Sequence, residues 1–213
     1  MNRELSAIVL ASASPRRLEL LASLGVAIRV WPSNVEEGPR PGQTPEQLAA
    51  SHASAKADAA AIRAVLGSFV EMAEGGLIVA ADTVVDVDGT ALGKPRDAAE
   101  ATRMLTTLSG RTHVVHTAFV VIAPDGRRIA RSATSQVTFT KLDAETIAAY
   151  VATGEPFDKA GGYGVQGRGA ALVERIDGDF YTVMGFPLGL FVRSLPELGY
   201  RLPERAPARL NVA

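Results

Sequence analysis

The chain of 213 residues contains no cysteine, so disulfides, thiolate metal sites and a cysteine nucleophile are excluded. Charge of neither sign is in excess, because 22 lysines and arginines stand against 23 aspartates and glutamates. A formal net charge of −1 argues against a protein that coats a nucleic acid polymer, whose surface would be broadly basic. A small anionic ligand in a local basic pocket is compatible with this balance.

Long hydrophobic runs are also missing. No stretch approaches the ~18 apolar residues that span a membrane, and the N-terminal residues lack the pattern of a signal peptide. We therefore expect no membrane partner and a cytoplasmic location, which agrees with the lack of cysteine. The remaining composition, with 47% apolar and 21% charged residues, is ordinary for a globular protein.

Familiar motifs of nucleotide and hydrolase sites give no support. Neither a G-x-x-x-x-G-K-[ST] phosphate loop nor a G-x-S-x-G nucleophile turn occurs. Residues 162–167 match G-x-G-x-x-G, but they precede a predicted strand, whereas a dinucleotide fingerprint opens a helix. The three histidines show no metal-binding spacing, since His113 and His116 fall on opposite faces of one predicted strand and His52 is distant in sequence.

Hydrophobic patterning predicts strands that alternate with helices in the first half of the chain, and hairpins in the middle. The expected fold is therefore α/β with a mixed, partly antiparallel sheet and flanking helices, rather than a doubly wound parallel sheet. Residues 1–200 are expected to form one domain and residues 201–213 a surface or disordered tail. Strands are predicted at residues 7–11, 27–31, 77–87, 91–93, 112–122, 129–140 and 171–176, and helices at residues 15–21, 44–65, 97–108, 143–151 and from Pro187.

The segment Ser12-Ala-Ser-Pro-Arg-Arg17 is the first candidate site. Ser14 and Pro15 are typical of a helix start, with Ser14 as N-cap. Arg16 and Arg17 then place two cations where the helix dipole disfavours each by roughly 0.3–1 kcal/mol. An anion bound at this helix start would explain them. The alternative is that both arginines pair with acidic side chains of the same protein.

Asp82 is the second candidate, because it interrupts an apolar strand. An unpaired carboxylate in such a strand is costly, so Asp82 requires a cation, a set of donors or a raised pKa. The alternative is a bend in which the aspartate bonds its own backbone. Aspartate is depleted in strand interiors, which favours a site residue.

Four further residues give weaker signals. Glu37 follows Glu36, and adjacent carboxylates usually mark a solvated loop, but in an anion site a carboxylate holds a divalent cation. Lys56 in an alanine-rich helix is normally a solubilising residue, and Lys94 is equally well a turn charge. Gln166 lies in a glycine-rich loop and offers a donor and an acceptor to a base edge, although the loop can equally be purely structural.

Together these residues resemble the Maf family over residues 10–188. The motifs that carry the resemblance are Leu10-Ala-Ser-Ala-Ser-Pro-Arg-Arg-Leu-Glu-Leu-Leu21, Ala81-Asp-Thr-Val-Val85, Gly93-Lys-Pro95, Arg111-Thr-His113, Asp158-Lys-Ala-Gly-Gly-Tyr-Gly-Val-Gln-Gly167 and Gly178-Asp-Phe-Tyr-Thr-Val-Met-Gly-Phe-Pro-Leu188. The resemblance implies a pyrophosphatase that converts a nucleoside triphosphate and water to the monophosphate and pyrophosphate with a divalent metal cation, Mg²⁺ or Mn²⁺. It also implies the fold of inosine-triphosphate pyrophosphatases, with a cleft between two lobes, and a homodimer.

Site residues follow from the resemblance by motif position. Asp82 is the implied proton acceptor and, with Glu37, a metal ligand. In this hypothesis the cations hold a triphosphate, while Gln166 and Thr83 read a pyrimidine edge. Arg16, Thr83 and Gln166 resemble the branch of the family that acts on dTTP and UTP. The implied substrate-binding residues are Ser12, Arg16, Arg17, Lys56, Thr83, Lys94 and Gln166.

The chain departs from the family pattern at three places. Ala80 stands where a glycine is usual, and His52 replaces a usual apolar residue four positions before Lys56; we expect both to leave the chemistry intact. Residues 66–76 form a longer segment than usual, which is expected to alter the pocket rim. Two other functions stay open, a nucleotide-binding regulator of cell division without turnover and an enzyme that clears modified pyrimidine nucleotides.

Overall fold

A mixed sheet forms the centre of the protein, for which a computed structural model describes residues 2–67 and 76–204. Within these residues seven strands form the sheet in the order β3-β2-β4-β6-β7-β8, with β5 paired to β4. β2 is parallel to β3 and β4, and the other neighbours are antiparallel. The predicted mixed α/β fold is thus confirmed. The strands are β1 Arg3–Glu4, β2 Ala7–Leu10, β3 Ala27–Val30, β4 Leu77–Val87, β5 Thr90–Leu92, β6 Thr112–Ile122, β7 Arg128–Phe139, β8 Val173–Asp177 and β9 Tyr200–Arg201.

Helices cover both faces of the sheet, because alternate residues of β4 enter two apolar cores. Val79 and Val85 join the larger core, whereas Ile78 and Val84 pack with the buried alanines of α2. Small alanine side chains allow the long α2 to lie close to the sheet. The helices are α1 Pro15–Ala22, α2 Pro45–Gly67, α3 Ala98–Leu108, α4 Ala144–Val151, α5 Phe180–Met184 and α6 Leu188–Ser194, and 3₁₀ turns cover Glu155–Asp158, Ala160–Gly162, Gly167–Leu172 and Leu195–Leu198. Of the described helices, none is both long and apolar enough to cross a membrane.

The structure differs from the sequence prediction at three places. Residues 171–172 form the end of a 3₁₀ turn, so the strand predicted from residue 171 begins at Val173. The helix α5 was not predicted, and neither was the parallel pairing of β1 with β9, which joins the two ends of the chain. The domain boundary at residue 200 stays a prediction, and the unusual segment at residues 66–76 and the tail lie largely outside the described residues.

One edge of β4 is only partly covered, and this determines where the site lies. β2 pairs with β4 from Leu77 to Val79, and β5 pairs with it from Val85 to Val87. Residues 80–84 have no strand partner on this edge within the described part of the chain, although β6 covers the opposite edge throughout. Side chains of both sheet faces can therefore reach the same cleft at this gap.

Candidate active site

The open edge of β4 lines a cleft of about 580 Å³, within the ~300–1,000 Å³ typical of small-molecule sites. The cleft is bounded by the end of β2, the start of α1, the middle of α2 and the glycine-rich segment near residue 166. All nine candidate residues from the sequence line it, although they come from distant parts of the chain. They are Ser12, Arg16, Arg17, Glu37, Lys56, Asp82, Thr83, Lys94 and Gln166.

Arg17 is buried at the start of α1, with its guanidinium fixed on three sides. Nε donates to the carbonyl oxygen of Gly185 at 2.9 Å, Nη1 to Oγ of Ser12 at 3.0 Å, and Nη2 to Oγ1 of Thr83 at 3.1 Å. Three of the five N–H donors of an arginine are thereby used, and two remain for a ligand. Ser12 Oγ also accepts from the backbone N–H of Ser14 at 3.3 Å, so the Ser12 proton is available to donate.

The two arginines have different partners. Arg17 donates to a carbonyl oxygen and two hydroxyl oxygens, all of them neutral. The anion-site hypothesis predicts this, because the positive charge of Arg17 then remains available to a ligand. Arg16 instead pairs with Asp158 at 3.0 Å, as the acidic-partner alternative predicts, and Lys159 approaches the same carboxylate. A phosphate ligand would compete with Asp158 for Arg16. Ser14 caps α1 as predicted, since its side chain accepts from the backbone N–H of Arg17.

Asp82 lies within regular β4 opposite Ala118, so the alternative of a bend is wrong. The residue is 5% exposed, and each oxygen of its carboxylate has a donor. Lys56 Nζ donates to Oδ1 at 2.6 Å, and His52 Nδ1 donates to Oδ2 at 3.2 Å. Burial raises the pKa of Asp82, but the hydrogen bond from His52 and the charges of Lys56 and Arg17 outweigh it, so the net pKa is lowered. Asp82 is therefore an ionised acceptor at neutral pH.

Lys56 also joins Asp82 to the loop that carries Glu37. Its Nζ forms ion pairs with both carboxylates, while Lys94 Nζ lies 3.6 Å from Oε2 of Glu37. Burial raises the pKa of Glu37, but its hydrogen bond and charge interaction with Lys56 outweigh this effect, so the net pKa is lowered. Glu37 and Asp82 are thus ionised and close enough to share one cation.

A divalent cation fits this pair of carboxylates only if other oxygens complete its coordination. Hard oxygen ligands suit Mg²⁺ and Mn²⁺, and Mg²⁺ is commonly held by one or two carboxylates together with substrate phosphates. Over residues 2–67 and 76–204, no group of three or more histidines, aspartates and glutamates is arranged to hold a metal. Glu37 and Asp82 would therefore hold the metal jointly with a phosphate ligand.

The comparison with known proteins agrees with the resemblance seen in the motifs. The family model described as Maf-like protein matches residues 7–198. The chain belongs to the Maf family. A dTTP/UTP pyrophosphatase from Thermococcus gammatolerans is 48% identical over 198 residues, which cover 93% of this chain and 100% of that protein. A dTTP/UTP pyrophosphatase from Geobacter metallireducens is 46% identical, covering 92% and 98%. A HAM1 protein structure from Coxiella burnetii is similar with a TM-score of 0.45 and 14% identity, over 92% of this chain and 97% of that one.

His52 is the residue of this Maf chain that sequence reasoning missed. Its ring is buried against Asp82, and Nε2 lies 2.9 Å from the carbonyl oxygen of Gly38, next to Glu37. The hydrogen bond to Asp82 raises the pKa of His52, and both ring nitrogens face oxygens that only accept. The one available signal was its position four residues before Lys56, which places both side chains on one face of α2.

In the cleft of this Maf protein, Gln166 is available to a ligand, whereas the glycines around it serve the packing of their own loop. Gln166 is exposed at the rim, with its amide free to meet a ligand. Gly169 is required by packing, since a Cβ there would lie 2.2 Å from the carbonyl oxygen of Gly164. Glu155 accepts from the backbone N–H groups of Arg168 and Gly169 and so fixes the loop. The glycine density reflects the loop's own packing, whereas Gln166 faces the cleft.

His113 supports the cleft wall from behind. Its Nε2 lies 2.6 Å from the hydroxyl of Tyr163, which lines the cleft, and its ring packs edge-on against Phe139. Its Nδ1 is buried and has no hydrogen-bond partner within the described residues. Burial lowers the pKa of His113 to about 4.

We expect this buried imidazole to make stability fall as the pH is lowered from about 6.5 to about 4. Above this window His113 is neutral in both states, whereas within it the unfolded chain binds a proton that the folded chain does not. The free energy of unfolding should decrease by up to ~1.4 kcal/mol per pH unit from this group alone. Urea unfolding of wild type and His113→Gln across the window measures the effect. A difference between the two proteins that does not vary with pH would contradict it.

Proposed function

We propose that this chain hydrolyses nucleoside triphosphates, with dTTP and UTP as substrates, to the monophosphate and pyrophosphate. The observation that carries the proposal is the ionised Asp82, held on both oxygens in a cleft that four cationic candidate residues also line, Arg16, Arg17, Lys56 and Lys94. A buried carboxylate among lysines and an arginine suits phosphoryl chemistry, in which catalysis is mainly positioning and charge neutralisation. Similarity to the dTTP/UTP pyrophosphatases of Thermococcus gammatolerans and Geobacter metallireducens supports the choice of pyrimidine nucleotides.

The cations bind the triphosphate in this proposal. Arg17 contributes the two N–H groups that have no partner among the described residues, and Ser12 contributes its hydroxyl proton. Lys94 is about half exposed at the rim, so its side chain can move to contact a phosphate. Arg16 must first break its ion pair with Asp158 before it can bind a phosphate oxygen. Gln166 would meet the base edge, where its amide can pair with the carbonyl and N–H groups of a pyrimidine.

Asp82 accepts a proton from the attacking water. The water oxygen forms a bond to the α-phosphorus, the bond from that phosphorus to the bridging oxygen breaks, and pyrophosphate leaves with the electron pair. Each Asp82 oxygen has one protein donor and retains a lone pair for the water. A divalent cation held by Glu37 and Asp82 would neutralise charge on the phosphate oxygens.

Incubation with a panel of nucleoside triphosphates and Mg²⁺ or Mn²⁺ tests the proposal. Pyrophosphate and monophosphate should form in equal amounts, fastest from dTTP and UTP, and chelation of the metal should stop the reaction. Release of inorganic phosphate in place of pyrophosphate would contradict it. Tight nucleotide binding without any product would instead support the alternative of a nucleotide-binding regulator of cell division.

The physiological nucleotide requires a separate comparison. A methyl group is worth only ~1–3 kcal/mol to a pocket, so dTTP, UTP and modified pyrimidines are close competitors. The kcat/KM values for dTTP, UTP, 5-methyl-UTP and pseudo-UTP distinguish an enzyme for ordinary nucleotides from one that clears modified ones. The homodimer and the cytoplasmic location stay predictions, for which analytical ultracentrifugation and cell fractionation are the measurements.

A further inference from the structure

A row of hydroxyl groups leads from Arg17 into the protein interior. Arg17 Nη2 lies 3.1 Å from Oγ1 of Thr83, which lies 2.9 Å from Oγ1 of Thr117, which lies 2.8 Å from the carbonyl oxygen of Thr182. Thr117 and Thr182 are completely buried. Thr83 and Thr117 are paired residues of β4 and β6, so the sheet register fixes the distance between their side chains.

The direction of each hydrogen bond in this row is determined by its two ends. A carbonyl oxygen only accepts, so Thr117 donates its one proton to Thr182. Thr117 can then only accept in its contact with Thr83, so the hydroxyl of Thr83 donates its one proton to Thr117. A guanidinium only donates, so Arg17 donates to Thr83. The chain of donation therefore runs one way, from Arg17 through both threonines to the backbone.

Thr83 therefore has no proton to donate to a nucleobase, and one of its two lone pairs accepts from Arg17. The other acceptor within reach of its hydroxyl is the carbonyl oxygen of Gly185, at 3.5 Å, which also belongs to the protein. The contact with Thr117 is shorter, at 2.9 Å, and Thr117 has no further proton to give, so the Thr83 proton is donated to Thr117. Thr83 can therefore contact a pyrimidine edge only as a hydrogen-bond acceptor.

We propose that Thr117 is a positioning residue, which acts through Thr83 to hold the Arg17 guanidinium in the orientation that binds the polyphosphate. Thr83 is then part of this relay and donates no hydrogen bond to the base. The proposal rests on the proposed function only in taking the ligand of Arg17 to be a polyphosphate. It assigns an effect on phosphate binding to a buried strand residue that does not itself line the cleft.

Two probes separate phosphate binding from base reading. Inorganic tripolyphosphate has no base, whereas the α,β-imido analogue of UTP has both a base and a non-hydrolysable phosphate chain. With Mg²⁺ present, Thr117→Val should weaken calorimetric binding of both probes by roughly fivefold, and Thr83→Val by roughly tenfold. Thr117→Ser keeps the hydroxyl and should bind both as wild type does. The double variant should be no weaker than Thr83→Val, since both changes interrupt one relay.

Thr112→Val is a matched control on the same strand. Thr112 Oγ1 lies 2.9 Å from Oγ1 of Thr138 in an exposed cross-strand pair, away from the cleft. This variant should bind both probes as wild type does. Thr117→Val should still fold, because the carbonyl oxygen of Thr182 keeps a second donor, the backbone N–H of Gly185 at 3.1 Å.

Several outcomes would overturn the relay. Unchanged binding of both probes by Thr117→Val and Thr83→Val would do so, as would a loss confined to the UTP analogue, which would return Thr83 to base reading. Additive losses in the double variant, or a wild type that binds neither probe, would equally contradict it. Failure of the proposed function is seen separately, as a wild type that binds both probes but releases no pyrophosphate from UTP.

Discussion

Replacement of Asp82 by asparagine is expected to lower kcat by about two to four orders of magnitude while the nucleotide still binds. Asparagine keeps the size of the side chain but removes the charge and the capacity to accept a proton from water. Loss of a negative charge beside Arg17 and Lys56 also leaves more of their attraction for a triphosphate. Binding of the non-hydrolysable UTP analogue, measured without a divalent metal, should therefore be retained or strengthened.

Pyrophosphate release and calorimetric binding measure the two halves of this prediction. Asp86→Asn provides the matched control, because Asp86 lies on the same strand and pairs with His116, outside the residues that line the cleft. Its kcat should stay near the wild-type value. If Asp82→Asn retained a tenth or more of wild-type kcat, Asp82 would not be the proton acceptor.

Replacement of Lys56 by methionine should lower the free energy of unfolding by about 3–5 kcal/mol and abolish turnover. Methionine fills the space of the buried lysine stem, but Glu37 and Asp82 then lose the cation that they share. Removing one partner of a buried ion pair leaves the other charge without compensation. Here two carboxylates would remain close together, and their mutual repulsion destabilises the folded state further. The double variant Lys56→Met/Asp82→Asn should recover part of the loss.

Lys94→Met is the control for this stability measurement. Lys94 contacts the same Glu37 but its side chain is 57% exposed, so its loss should change the unfolding free energy by at most about 1 kcal/mol. Urea unfolding of the three variants and wild type gives the comparison. A Lys56→Met protein as stable as wild type would show that the two carboxylates do not depend on this lysine.

The candidate residues that the sequence revealed are those that break a local rule. Asp82 stands in an apolar strand, and Arg16 and Arg17 stand at a helix start, so each is conspicuous within its own segment. Lys56 and Glu37 break no such rule and gave only weak signals, which the family resemblance strengthened. The strands were also largely predictable, since β4 and β6 are almost continuously buried and a long apolar run is a local signal.

What the sequence could not supply are the contacts between distant segments. In the sequence His52 is one polar residue on a helix, and only the fold places it against Asp82. Thr117 is likewise an ordinary strand residue in the sequence, and its contact with Thr83 depends on the sheet. The pairing of β1 with β9 similarly joins residues at opposite ends of the chain. Such contacts depend on strand order and register, which patterning within one segment does not determine.

The most direct test of the proposed reaction is hydrolysis of UTP in water enriched in ¹⁸O, with mass spectrometry of both products. Water that attacks the α-phosphorus beside Asp82 places the heavy oxygen in UMP and leaves pyrophosphate unlabelled. Our account predicts one ¹⁸O per UMP formed. Label in pyrophosphate would mean attack at the β-phosphorus, and label in inorganic phosphate would mean attack at the γ-phosphorus; either result would contradict it.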